Sequence, residues 1–168
     1  MGLGINSGSD LCSSRRWQDS ISHAVIYGFG RRIKKTIGGV VTKYVYDGDQ
    51  IIEERNSSNQ LVASYVYGVG IDETLTMTRN SQTYYYFYDG LGSVTDITDA
   101  SGAVVESYQY DPYGTPSVTS TIGNPFLFTG RQYDPETGLY YYRARHYNAG
   151  IGRFLQRDGP YPRKLYHL

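Results

Sequence analysis

The sequence predicts an all-β fold made of successive antiparallel β-hairpins, and three observations carry that prediction. The chain of 168 residues holds 19 tyrosines and 20 glycines. Tyr, Val, Ile and Thr between glycines favour strands and turns over helices. The tyrosines are also periodic. A Tyr-x-Tyr unit recurs at Tyr44/Tyr46, Tyr65/Tyr67, Tyr86/Tyr88 and Tyr108/Tyr110, at spacings of 21, 21 and 22 residues. Finally, each unit is followed by a corner signal: Asp47-Gly48, Gly68, Asp89-Gly90 or Asp111-Pro112. A weaker earlier copy begins at Tyr27-Gly28.

Within each period two strand-like runs flank a turn. Arg32 to Ile37 leads through Gly38-Gly39 to Val40–Tyr46. Gln50 to Arg55 leads through Asn56-Ser57-Ser58-Asn59 to Gln60–Tyr67. Glu73 to Arg79 leads through Asn80-Ser81-Gln82 to Thr83–Tyr88. Ser93 to Thr98 leads through Asp99-Ala100-Ser101-Gly102 to Ala103–Tyr110. Gly-Gly and Asx/Ser/Gly tetrads supply positive φ or side-chain-to-backbone turn bonds, so each is a hairpin signal. Alternation puts the two tyrosines of a unit on one face. Stacking the hairpins then lines these pairs into ladders across strands. An exposed tyrosine platform for sugars is the alternative use of the same residues.

Net charge is zero, but residues 1–43 carry seven basic and two acidic residues, 44–125 two and eleven, and 126–168 seven and three. The acidic middle argues against a polyanion partner. Tyr141, Arg143, Arg145 and Tyr147 fall on one face by alternation, an arrangement of single-strand binders, but arginines stacking on tyrosines within the sheet account for it; no nucleic-acid partner is expected. No run approaches the roughly 18 apolar residues of a membrane span. Residues 1–26 contain no apolar stretch of signal-peptide length. Cys12 is the single cysteine, and His23, His146 and His167 lack ligand spacing with it or each other, so no metal or cofactor site is expected.

The repeat grammar resembles the YD repeat. The stretch Phe128-Thr-Gly-Arg-Gln-Tyr-Asp-Pro-Glu-Thr-Gly-Leu-Tyr-Tyr-Tyr-Arg-Ala-Arg145, continuing into Gly152-Arg-Phe-Leu-Gln-Arg-Asp158, resembles the core segment of bacterial Rhs proteins. The resemblance divides the chain into an atypical, weakly ordered segment 1–26, YD repeats over 27–125, the Rhs-associated core over 126–158 and an atypical tail 159–168. It implies a fragment of a spiralling YD-repeat β-shell of the kind found in Rhs proteins, toxin-complex subunits and teneurins. In bacterial members that shell encloses a C-terminal toxin. The expected role is therefore structural and encapsulating. The chain itself reads as a truncated or orphan piece without its own toxin, exported or at the cell surface. Expected partners are further YD repeats or another Rhs chain along exposed strand edges, with toxin cargo in full-length relatives and carbohydrate as a further option.

The same resemblance implies a second use of the core, as an aspartyl autoprotease. The matching positions are Asp134, in Asp-Pro-Glu-Thr-Gly, and Asp158, in Arg-Asp-Gly-Pro, 24 residues apart. Such chemistry needs two carboxylates sharing a proton, so that one acts as acid and the other as base. Arg131 is the candidate to orient Asp134 or lower its pKa. Against this stand two departures from the family pattern: Asp158 is followed by Gly159, and Asn148 takes the place of an acid. On the structural reading Asp134 and Asp158 cap turns.

Overall fold

The computed structural model describes the backbone of residues 23–27 and residues 31–157 in full. Nine strands follow one another in a single antiparallel meander: β1 (His23–Tyr27), β2 (Arg31–Ile37), β3 (Val40–Asp47), β4 (Gln50–Arg55), β5 (Leu61–Tyr67), β6 (Thr74–Arg79), β7 (Gln82–Tyr88), β8 (Val94–Thr98) and β9 (Val104–Ser107). Four short strands form a second antiparallel sheet: β10 (Gln132–Asp134), β11 (Leu139–Tyr142), β12 (Arg145–Asn148) and β13 (Arg153–Phe154). The predicted hairpins are all present. Their turns follow local chemistry. Gly38 and Gly39 both have positive φ, at 52° and 83°. Ile37 faces Val40 across them, a two-residue turn whose twist matches that of the strands. The third hairpin is tighter than the sequence suggests. Asn80 and Ser81 alone make its turn, with φ of 53° and 61°, and Gln82 already pairs with Arg79.

A second turn type recurs four times. Asn56, Asp89, Asp99 and Asp111 each accept, on one side-chain oxygen, the N–H groups two and four residues on. The backbone closes each turn with the residue at position four in the left-handed region: Asn59, Gly92, Gly102 and Gly114. At Gly114 the requirement is double, because a Cβ there would lie 2.4 Å from the Phe128 ring at a φ of 94°.

One face of the nine-stranded sheet is buried. Tyr44, Tyr65, Tyr86 and Tyr108 lie in it, with Ile51, Ala63, Met77, Val94 and Ile97. The tyrosines do not ladder ring against ring between neighbouring strands, because one strand separates successive units. Tyr65 instead faces Met77, Tyr86 faces Ile97 and Tyr88 faces Val94. The second tyrosines are tied by a relay. The register slips by one residue opposite Tyr46, Tyr67 and Tyr88, bringing Ile51, Thr74 and Val94 across from them. The carbonyls of those same three residues accept the hydroxyls of Tyr67, Tyr88 and Tyr110, at 2.8, 2.5 and 2.6 Å. Tyr46 opens the series on the Arg32 carbonyl at 2.9 Å. Each bulge thus presents the acceptor that the next repeat's phenol uses.

The segment after residue 124 covers this face. Phe126 packs edge-on to Tyr65 with centroids 5.1 Å apart. Leu127 is buried and its carbonyl accepts the Val94 N–H. Tyr140 is fully buried against Phe128 and Tyr133, and its hydroxyl donates to the Gly114 carbonyl. Aromatic pairs of this kind contribute roughly 0.5–1.5 kcal/mol beyond the area they bury.

Candidate functional site

Asp134 closes strand β10, and the next residues make a turn in which its carbonyl accepts the Thr137 and Gly138 N–H groups. Its carboxylate does not cap that turn, as the structural reading of the sequence expects. It points inward, 4% exposed, and takes Arg32 Nη1 at 2.5 Å and Lys35 Nζ at 2.8 Å. Asp111, in the other Asp-Pro pair, spends its carboxylate on its own turn at the surface. The two Asp-Pro motifs therefore have opposite uses.

Arg32 is itself buried. Its guanidinium lies 5.2 Å from the Tyr44 ring and 4.5 Å from the Tyr141 ring, and also donates to Gln132 Oε1. Its backbone N–H donates to the Tyr141 hydroxyl at 2.7 Å. Burial opposes ionisation of Asp134. The charge and hydrogen bond of Arg32, then those of Lys35, outweigh it and hold the carboxyl below its ordinary range. Lys35 also reaches Glu136 at 3.0 Å. The cluster joins strand β2 of the large sheet to strand β10 of the small one.

Arg131 does not hold Asp134. Its guanidinium pairs with Asp72 at 2.8 Å, and Arg143 reaches the same carboxylate at 2.7 Å. The orienting cations sit on β2, about a hundred residues upstream in the chain, where no local motif marks them. Asp72 is in the left-handed region at φ 57°, and a Cβ on Gly130 would stand 2.8 Å from its carbonyl oxygen. Asp158 lies outside the described residues. A cavity of about 180 Å³ beside Asp134 is lined by His146, Leu155 and Gln156. Burial, then the charge of Arg32, depress the pKa of His146.

The arginine-tyrosine run does not share one face. Arg143 turns the chain at φ 58°, so Tyr142 pairs with Arg145 across a hairpin and alternation is interrupted. The arginines stack instead: Arg131 on Tyr142 at 5.0 Å and Arg145 on Phe154 at 3.7 Å. The Tyr-x-Tyr residues face the interior and form no exposed platform. Tyr85 and Tyr113, which belong to no pair, are the exposed tyrosines among the described residues. A fourth cluster was not legible in sequence. Glu106 accepts hydrogen bonds from Tyr108, Ser120, Thr121 and Ile122, and pins the loop before residue 124 to β9.

The profile of the teneurin YD-shell family matches residues 25–167. The tRNA3(Ser)-specific nuclease WapA of Bacillus spizizenii is 42% identical over 135 residues, which is 77% of this chain and 6% of that protein. Salivary gland surface protein 1 of Aedes aegypti is 38% identical over 112 residues, 63% of this chain and 3% of that protein. The chain thus spans a small fraction of the length of the curated relatives it matches. Among solved structures, the Photorhabdus luminescens Tc holotoxin pore superposes with a TM-score of 0.63 at 20% identity, covering 82% of this chain and 8% of that one.

Proposed function

Since the chain belongs to the teneurin YD-shell family, we propose that it works as a wall segment of a hollow YD shell that encloses a toxin domain. One observation carries the reading: a nine-stranded meander whose tyrosine face is lined by the phenol relay and covered by residues 124–154. That is a sheet built to extend by repetition and to end under a cap. Neighbouring YD repeats are the partners this assigns, along the edges of β1 and β9. The likeness to WapA and to a Tc holotoxin supports toxin enclosure, and on the same reading the chain acts at or beyond the cell surface. No helix among the described residues is long and apolar enough to cross a membrane. The test is a graft. Residues 25–157 replace the matching segment of the Bacillus WapA protein. Across the grafted segment the hybrid should be no more sensitive to limited proteolysis than the unaltered protein. A graft that expresses but is digested through its repeats contradicts the proposal.

A second reading has one observation in its favour. Leu155 and Gln156 line the cavity beside Asp134, which brings the chain to within two residues of Asp158. That supports the two carboxylates as an autoprotease pair that would free an enclosed domain. Intact mass of a longer graft, carrying residues 25–168 and so both Asp134 and Asp158, decides it. A cleaved product lost in Asp134→Asn would support the reading, and a single full-length mass would remove it.

A further inference from the structure

A second cavity, of about 250 Å³, lies where the cap crosses strands β2, β3, β4 and β6. A single water needs only ~10–15 Å³ of such space. The cavity shares Arg32, Lys35 and Asp134 with the one beside His146, and the rest of its wall is different. Pro125, Leu127, Tyr133 and Pro135 from the cap, with Tyr44 from β3, supply apolar surface.

Three buried atoms of the wall residues have no hydrogen-bond partner among the described residues: Arg32 Nε, Arg79 Nε and Gln132 Nε2. All three are N–H donors. Arg32 and Gln132 are 2% and 4% exposed. The remaining polar atoms of these side chains are committed elsewhere. Arg32 gives Nη1 to Asp134 and Nη2 to Gln132 Oε1, so the opposite end of that amide carries the hydrogens. Arg79 gives Nη2 to Glu54 at 2.5 Å. Gly123 leaves the Nε edge of Arg79 clear, since a Cβ there would stand 3.1 Å from that nitrogen.

An unpaired buried donor is costly, so three around one cavity call for a group that accepts. An ionised carboxylate accepts on both oxygens and has no hydrogen of its own to place. Its bonds from guanidinium groups are of the strong, charge-assisted kind. The charges of the wall balance, with Arg32, Lys35 and Arg79 against Glu54, Asp134 and Glu136. A balanced wall suits one added negative charge better than two.

We propose that this cavity binds a monocarboxylate with a compact apolar body. Its two oxygens are shared among the three free N–H groups, and its body lies against Tyr44, Leu127 and Tyr133. The site does not rest on the shell-wall reading, and the graft can succeed without it.

The test is an NMR titration of the full chain with benzoate, following the side-chain N–H signals of Arg32, Arg79 and Gln132. All three should shift together and saturate, with a Kd of about 1 mM or tighter. Benzamide, which has the same shape without the charge, should bind at least ~10-fold more weakly. Sulfate should leave the three signals in place. Gln132→Glu keeps an acceptor for Arg32 and turns the free donor into a second anion. Thr42→Phe fills the cavity from β3. Each variant, its fold checked by circular dichroism, should weaken benzoate at least ~10-fold. N-Acetylphenylalanine, which ends like a peptide, is titrated alongside. Whichever acid binds tighter tells a free metabolite from a chain terminus, and either supports the site. No saturable shift with either acid would overturn the proposal. So would equal shifts with sulfate, an adventitious ion only, or benzoate binding unchanged in both variants.

Discussion

Arg32 and Asp134 stand 102 residues apart in sequence and 2.5 Å apart in the fold, both buried, and their contact fastens the small sheet to the large one. Removing one member of such a pair leaves the other charged and dry. Asp134→Ala should therefore cost about 3–5 kcal/mol, enough to lower the unfolding midpoint steeply. Asp111→Ala removes only a surface turn bond and should lower the midpoint far less. Urea unfolding of the two variants checks the contrast. Equal losses would mean that Asp134 is only another turn aspartate.

The phenol relay makes a graded prediction. Tyr46→Phe, Tyr67→Phe and Tyr110→Phe each remove one hydroxyl from a part-buried carbonyl, a loss of about 0.5–1.5 kcal/mol apiece. Tyr46 and Tyr110 lie far apart in the sheet, so their losses should add. Tyr85→Phe, on the opposite and exposed side, should change the unfolding midpoint little. Thermal denaturation of the set is the measurement.

Stability should fall at both ends of the pH scale. The folded pKa values of Asp134 and Glu106 are lowered, so their contribution is full above the ordinary carboxylate range and is lost as pH drops through the folded values. His146 is also depressed, and the unfolded chain therefore binds its proton first; stability declines as pH falls below about 6.5. His146→Gln should flatten that first decline and leave the later carboxylate loss. At the alkaline side burial raises the tyrosines, Tyr88 to about 12, so stability present below pH ~10 is lost above it. Denaturant midpoints across the range report all three.

The turn between β6 and β7 is open to improvement. Ser81 sits at φ 61° without being glycine. Ser81→Gly completes an Asn-Gly pair of the preferred hairpin type and relieves a strain of about 1 kcal/mol. The melting temperature should rise. Gly114→Ala should lower it sharply, because the new Cβ meets the Phe128 ring.

The hairpins were legible in sequence because turn chemistry and alternation are local. Gly38-Gly39 and Asp99 to Gly102 mark their turns whatever lies elsewhere. The tyrosine ladder was legible in position but not in contact. Deciding what faces Tyr65 requires knowing that Met77 on the intervening strand fills the gap, and that the register slips at Tyr67. Asp134 was found through its motif, whereas its partners were not. Arg131 is near in sequence, but the short turn at Phe128–Gly130 directs it to Asp72. Arg32 and Lys35 reach Asp134 because the cap folds back over the first strands, a long-range event that no spacing encodes. The break in the Tyr141–Tyr147 alternation came from Arg143, a residue with no turn preference that is held at positive φ where it pairs with Asp72.

The most direct measurement is electron cryomicroscopy of the WapA graft. The grafted segment should appear as an unbroken wall, with the nine strands in register order and the tyrosine face under residues 124–154. A particle with a gap at that position, or a grafted segment folded apart from the shell, would contradict it.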